Sequence, residues 1–187
     1  MSQRDSGYIR KDFDTYDTPL WVTRALAPHL RDGLCVWEPA AGNGAIMDVL
    51  DPYRRGNMIS TSVVTDIQTG HDFLAATALP TQHITAIITN PPYTAATEFI
   101  EHALDLMKPV KGLVAMLLRT DFDHAKSRRH LFADHPAFCK KIVLLNRIVW
   151  FEPEPGSKGK SPSENHAWWI WDWQHRGWPT IAYEGKP

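Results

Sequence analysis

The tetrapeptide Asn90-Pro91-Pro92-Tyr93 constrains this chain more than any other stretch. It follows His83-Ile84-Thr85-Ala86-Ile87-Ile88-Thr89, a β-branched apolar run that reads as a buried strand. Two consecutive prolines can neither extend a strand ladder nor pass at once into a regular helix. The chain must leave the strand through a rigid turn. Open α/β sheets keep their ligands at the carboxyl ends of the strands, where this turn falls. An amide acceptor, a locked backbone and an aromatic ring side by side suit a flat group with an amino function, such as a nucleobase.

The remaining pattern supplies the sheet that such a turn needs. Thr18-Pro19 opens a helical pattern through Leu20, Trp21, Ala25 and Leu26, with Thr18 as N-cap and Pro19 in the first turn. Strands are expected over residues 34–38, 61–66, 83–89, 112–118, 141–145 and 166–173. Helices are expected over 45–50, 95–107 and 123–133. Alternation of strands and helices argues an α/β, doubly wound, mostly parallel sheet. The strands at 141–145 and 166–173 have no helix between them, so the last strand should run antiparallel. That strand is aromatic on both faces. Residues 1–12 read as a mobile N-terminal tail and 13–187 as one domain, with no separate target-recognition region and only a short tail after Trp178. The segment 151–165, rich in Pro, Gly, Ser and Lys, reads as a mobile loop.

Composition narrows the function classes. With 43% apolar and 22% charged residues the chain is globular, and no apolar stretch reaches ~18 residues, so no membrane span is expected. The polar start lacks a signal-peptide core, and Cys35 and Cys139 lie in apolar runs, which reads as buried free thiols in the cytoplasm. A formal net charge of −1 argues against a surface coated all over with nucleic acid. Basic residues nevertheless cluster in the second half: Lys126, Arg128, Arg129 and His130, then Lys140 and Lys141 with Arg147, then Lys158 and Lys160. Each group alone reads as an ordinary solvated surface; their shared half of the chain leads us to expect a one-sided basic patch, with base contacts from the loops over 119–129, including Arg119, and 151–165.

Glu38-Pro39-Ala40-Ala41-Gly42-Asn43-Gly44 joins the first sheet strand to a helix. Gly42 and Gly44 allow close backbone approach to a ligand, and the helix start offers free N–H groups. The turn is not G-x-G-x-x-G, and a purely structural joint explains it equally well. Asp66 ends the second strand about 20 residues on, where a carboxylate can accept from ribose hydroxyls. Asp72-Phe73-Leu74 offers an acceptor for an exocyclic amine and a ring for an adenine. The ordinary alternatives are a helix N-cap for Asp72 and a core aromatic for Phe73. No basic residue lies near the glycine turn and no G-x-x-x-x-G-K-[ST] occurs, which counts against polyphosphate binding.

Taken in order, Tyr16-Asp17-Thr18-Pro19, the Glu38–Gly44 turn, Asp66, Asp72-Phe73-Leu74 and Asn90-Pro91-Pro92-Tyr93 resemble class I S-adenosylmethionine-dependent DNA adenine-N6 methyltransferases. The last third, from Arg147-Ile148-Val149-Trp150-Phe151 to His166-Ala167-Trp168, is similar to short phage and prophage members. The resemblance implies a Rossmann-like fold and S-adenosylmethionine as cofactor, with no metal. Thr18 and Pro19 would cover the methionine end of the cofactor. Glu38, Pro39, Ala40, Gly42, Asn43 and Gly44 would hold its amino-acid part. Asp66 with Ile67 would hold the ribose, and Asp72 and Phe73 the adenine. Asn90 and the Pro91 carbonyl would accept from the target amino group, Pro92 would lock the turn, and Tyr93 would stack on the base. Trp150 or Phe151 would cover its other face, with plain packing equally open for either. The implied partner is DNA, with a homodimer possible.

That assignment agrees with the chemistry of the residues. An aromatic amine delocalises its lone pair into its ring and is a poor nucleophile; two acceptors on its hydrogens free the pair. Proximity and orientation supply most of the rest. No cysteine is placed as a nucleophile, which disfavours cytosine-C5 methylation. An RNA adenine-N6 methyltransferase or a protein-glutamine N5-methyltransferase would use the same tetrad, and a non-catalytic module would keep the fold alone. Without a dedicated reading region, sequence specificity should be modest.

Overall fold

A computed structural model describes residues 17–51, 59–150 and 164–186. The expected tail over 1–12 therefore lies outside the described residues, and so does most of the expected loop over 151–165. Seven strands form one sheet in the order β2-β1-β3-β4-β6-β5-β7. They are β1 (Leu34–Glu38), β2 (Ile59–Val64), β3 (Ala86–Thr89), β4 (Leu113–Arg119), β5 (Phe138–Leu144), β6 (His166–Asp172) and β7 (Thr180–Glu184). Every pairing is parallel except the two made by β6, which runs antiparallel to β4 and to β5. The expected α/β sheet with an inserted antiparallel strand is therefore the observed one.

Three α-helices pack on it: α1 (Leu20–Leu26), α2 (Ala45–Leu50) and α3 (Ala96–Met107). On α3 the buried side chains Ala96, Phe99, Ile100, Ala103, Leu104 and Met107 recur at helical spacing and form one stripe. That stripe joins Trp37, Ile87, Val114, Met116, Trp169 and Trp171 on one face of the sheet. On the other face Val22, Leu26, Ile46, Met47 and Leu50 of α1 and α2 meet Val36, Ile88, Leu117 and Trp168. Strand β6 thus feeds both layers, with Trp168 facing one and Trp169 and Trp171 the other, all three fully buried. Two of their polar edges are satisfied where they are buried: Trp168 Nε1 donates to Val22 O at 2.8 Å and Trp171 Nε1 to Leu131 O at 2.6 Å, whereas Trp169 Nε1 has no hydrogen-bond partner among the described residues.

Four expectations are corrected. Helix α1 starts at Leu20 with Pro19, not Thr18, at its N-cap position, and no side chain caps it. The helix expected over 123–133 is two 3-10 turns, Phe122–His124 and Lys126–Leu131. Ala125 between them is extended (φ −82°, ψ 129°), which interrupts any continuous helix, and three adjacent basic side chains at Arg128, Arg129 and His130 add no favourable helical pairing. The short tail expected after Trp178 contains β7, which pairs with β5 at the sheet edge. Finally, Cys35 and Cys139 are free, as expected, but only half-buried.

The crossover from β2 to β3 contains no α-helix. Residues 67–85 hold two 3-10 turns, Ile67–Thr69 and Phe73–Ala75. This short path carries the chain from Asp66, just after β2, across to β3. It also leaves β1 with β2 on one flank and β3 on the other, so the chain reverses direction across the sheet at β1.

Candidate functional site

The carboxyl ends of β1 and β3 are adjacent, and that is where the strand order reverses. Glu38 ends β1 and Asn90 follows β3; the ladder between them is fixed by Val36↔Ala86 and Trp37↔Ile87. Such a switch point leaves a crevice, because the two flanking connections leave in opposite directions. The residues around it come from four segments.

The glycine turn closes one side. Thr65 N–H donates to Glu38 O, and Ala41 N–H donates to Thr65 O, so the turn is stitched to the end of β2. Gly42 (φ 52°) and Gly44 (φ 81°) both adopt left-handed backbone that other residues reach only with strain. Asp66 fastens the turn from below. Its Oδ2 accepts from Gly42 N–H at 2.8 Å and its Oδ1 from Gln68 N–H at 2.9 Å. Asp66 is thus buried and already bonded, with acceptor capacity left on each oxygen.

Asp17 closes the turn from above. Asn43 Nδ2 donates to both of its carboxylate oxygens, each at 3.0 Å. The sequence reading assigned Asp17 no role of its own, although it sits in the Asp17-Thr18-Pro19 segment. Thr18 beside it is buried. The expected neighbours Thr18, Pro19, Asn43 and Gly44 are therefore brought together.

Glu38 is the most unusual group. It is 1% exposed, and its Oε2 has no hydrogen-bond partner among the described residues. Burial pushes its carboxyl up to about 9; the Met47 backbone N–H pulls it down, and the Asp48 and Asp66 carboxylates push further up. A buried carboxyl oxygen left without a partner costs free energy and persists where something else requires it. A ligand cation would satisfy it.

The Asp72-Phe73 pair is split by the fold. Asp72 is exposed and accepts from Leu74 N–H at 2.9 Å, the capping role also open to it from sequence. Phe73 is 3% exposed, and its ring meets Trp37, Phe99 and His102 at centroid distances of 5.1, 4.8 and 4.9 Å. It is a core aromatic, while Ile67 and Leu74 are exposed.

On the other side, Pro91 is buried and Asn90, Pro92 and Tyr93 are half-buried. The turn continues as a 3-10 segment, Tyr93–Ala95, into α3. Tyr93 OH lies 2.9 Å from His166 Nε2. Trp150 packs edge-on against the same imidazole, with centroids 5.3 Å apart. Trp150 and Tyr93 thus meet the same imidazole; Phe151, Lys158 and Lys160, like Tyr16, lie outside the described residues. The sequence reading did not single out His166. The available signal was a lone polar residue heading an otherwise apolar strand.

Two of the basic residues expected to face nucleic acid are paired locally with carboxylates. Arg119 contacts Asp121 at 3.1 Å and Glu164 at 3.3 Å, and Arg129 bonds Asp134 at 2.8 Å. The Arg128 guanidinium lies 4.0 Å from the Phe122 ring centroid and is half-buried. Lys126 is exposed.

No family model matches this sequence, and no curated protein matches it. Solved structures share the fold. The type I restriction-modification system methyltransferase subunit from Streptococcus thermophilus aligns over 86% of this chain with a TM-score of 0.59 and 12% identity. The chain spans 45% of that subunit's length. A SAM-dependent O-methyltransferase from Thermotoga maritima aligns over 84% at 11% identity (TM-score 0.46), with 66% of its own length covered. A dimethyladenosine transferase from Plasmodium falciparum aligns over 84% at 13% identity (TM-score 0.41), with 62% covered. The fold is that of class I methyltransferases.

Proposed function

We propose that this chain transfers a methyl group from S-adenosylmethionine to the N6 amino group of adenine in DNA. One observation carries the reading: Glu38, whose buried Oε2 has no partner among the described residues, ends β1, and the Asn-Pro-Pro-Tyr turn leaves the paired strand β3 at the same edge of the sheet. The cofactor fits that crevice chemically, because it carries a cationic amino group and a cationic sulfur and lacks polyphosphate. When bound, it supplies a methyl group on positively charged sulfur, an electrophile needing only an aligned nitrogen lone pair.

The chain's own residues would do the rest. Glu38 would take the ammonium, and the left-handed Gly42–Gly44 backbone would let the amino-acid part lie close. Asp66 would offer its remaining lone pairs to ribose hydroxyls, and Thr18 and Pro19 would cover the methionine end. Ile67 and Asp72 are exposed, and the adenine ring would lie beside them. Asn90 Oδ1 and the Pro91 carbonyl would accept from the two amino hydrogens of the target and free its lone pair. Tyr93 would stack on the base, with Trp150 nearby. Extruding a base from a duplex costs a few kcal/mol, which stacking partly repays. The proton released on methylation goes to water, since an amide is too weak a base to keep it.

Incubation with labelled S-adenosylmethionine and DNA, RNA or protein, followed by digestion, tests the reading. Label in N6-methyladenine of DNA supports it; label in RNA alone or protein alone overturns the substrate. Asn90→Ala should bind cofactor normally and lose transfer by roughly 100-fold or more, as when a single positioned hydrogen-bonding group is removed. Full activity in that variant would remove Asn90 from the chemistry.

A further inference from the structure

We propose that His166 is a positioning residue that sets the plane of the Tyr93 ring and so aligns the stacked base with Asn90. The inference rests on the function proposed above and adds a residue to its machinery. His166 opens β6, and its place is fixed by the ladder partner Arg119 at the carboxyl end of β4. The antiparallel course of β6 therefore delivers this imidazole to the edge of the sheet where the parallel strands end. It is 1% exposed. Its Nε2 meets Tyr93 OH at 2.9 Å.

A half-buried tyrosine carried on a Pro-Pro turn has its Cα fixed, but its ring can still rotate about two side-chain bonds. Anchoring the phenol oxygen at the far end removes that freedom. Trp150 then backs the imidazole edge-on, with centroids 5.3 Å apart and planes at 82°. The three side chains form a chain of contact from β6 to the turn after β3: Trp150 holds His166, and His166 holds Tyr93. Burial and the neighbouring Arg119 guanidinium, with Asp121 opposing, bring the imidazole down to about 4. It is neutral at working pH, so Nε2 can accept the phenol proton throughout.

Two measurements test this separately from the function. In the ligand-free protein, nitrogen NMR of the imidazoles should show His166 Nε2 as a hydrogen-bond acceptor, and Tyr93→Phe should shift that resonance alone. An unshifted resonance overturns the anchoring. In methyl-transfer kinetics, His166→Ala should lower kcat/KM for DNA by about 10-fold or more while leaving S-adenosylmethionine affinity within about 2-fold, a factor equivalent to about 1.4 kcal/mol at 10-fold. His166→Gln, which keeps an acceptor near the Nε2 position, should recover most of the loss. The double variant Tyr93→Phe/His166→Ala should be no worse than the poorer single variant, because both remove one hydrogen bond. Additive losses, no rescue by Gln, or an equal fall in cofactor affinity would overturn it. If the unaltered protein methylates no nucleic acid, the proposed function fails instead, and the imidazole resonance still reports whether the anchor exists.

Discussion

Binding of the methyl donor should expel a proton from Glu38. In the ligand-free protein burial holds this carboxyl at about 9, with the Asp48 and Asp66 carboxylates pushing in the same direction. It therefore carries a proton at neutral pH. An ammonium placed against Oε2 supplies the partner that this atom lacks among the described residues and favours the charged form. Ionising the group at about pH 6.5 costs roughly 3 kcal/mol, at about 1.36 kcal/mol per pH unit, and the ion pair must return more than that. One proton should leave for each cofactor bound. Affinity should rise about tenfold per pH unit between about pH 6 and 7.5, below the range in which an α-amino group loses its own proton. Calorimetric titration in two buffers of different ionisation enthalpy reads the proton directly. Glu38→Gln should release none and show a flat affinity profile over the same range. A wild-type protein that binds without releasing a proton would refute the pairing of Glu38 with the ligand's cation.

The same carboxyl makes the unliganded fold pH-sensitive: its folded value of about 9 lies above the unfolded 4.5, so its stabilisation is complete below about pH 4.5 and is lost as pH rises towards 9. Urea melts of the wild type should weaken across that window, and Glu38→Gln should remove most of the decline. Trp171→Phe should cost roughly 2–4 kcal/mol, since it empties buried volume and strands the Leu131 carbonyl that accepts at 2.6 Å; a loss under about 1 kcal/mol would contradict that account of β6. Because Arg119 and Arg129 are already paired with carboxylates, DNA affinity should fall with salt at a log–log slope of about −2 to −4, and a slope near −6 or steeper would mean these pairs open on binding.

Local signals carried most of the sheet. Apolar runs marked β1, β3 and β4, because these strands are buried on both faces, and the turns after β1 and β3 need residues with special backbone limits. Asn90, Gly42 and Gly44 were legible for the same reason. Tertiary packing decided the rest. Nothing in Asp72-Phe73-Leu74 tells which side chain turns inward; Trp37, Phe99 and His102 claim Phe73. The segment 122–131 has helical composition, yet an extended Ala125 divides it. Strand β7 is short and mostly exposed, and its parallel partner β5 lies about 40 residues earlier, so no local pattern announces it. His166 acquires a role only through a phenol 73 residues away.

Strand β6 enters the sheet where β5 has just left it. Trp150 and His166 touch there, and Glu164 reaches back to Arg119, so Trp150 and Glu164 lie at one place. Every rung of the β4–β6 and β5–β6 ladders is made by residues outside 151–163. Doubling the length of a loop tethered at such close ends costs only about 0.6 kcal/mol. Evolution can rewrite it freely while the reacting groups stay in place. Under the proposed function, it is also the position at which a grafted recognition peptide would be expected to alter target choice, provided that Arg119 stays opposite His166.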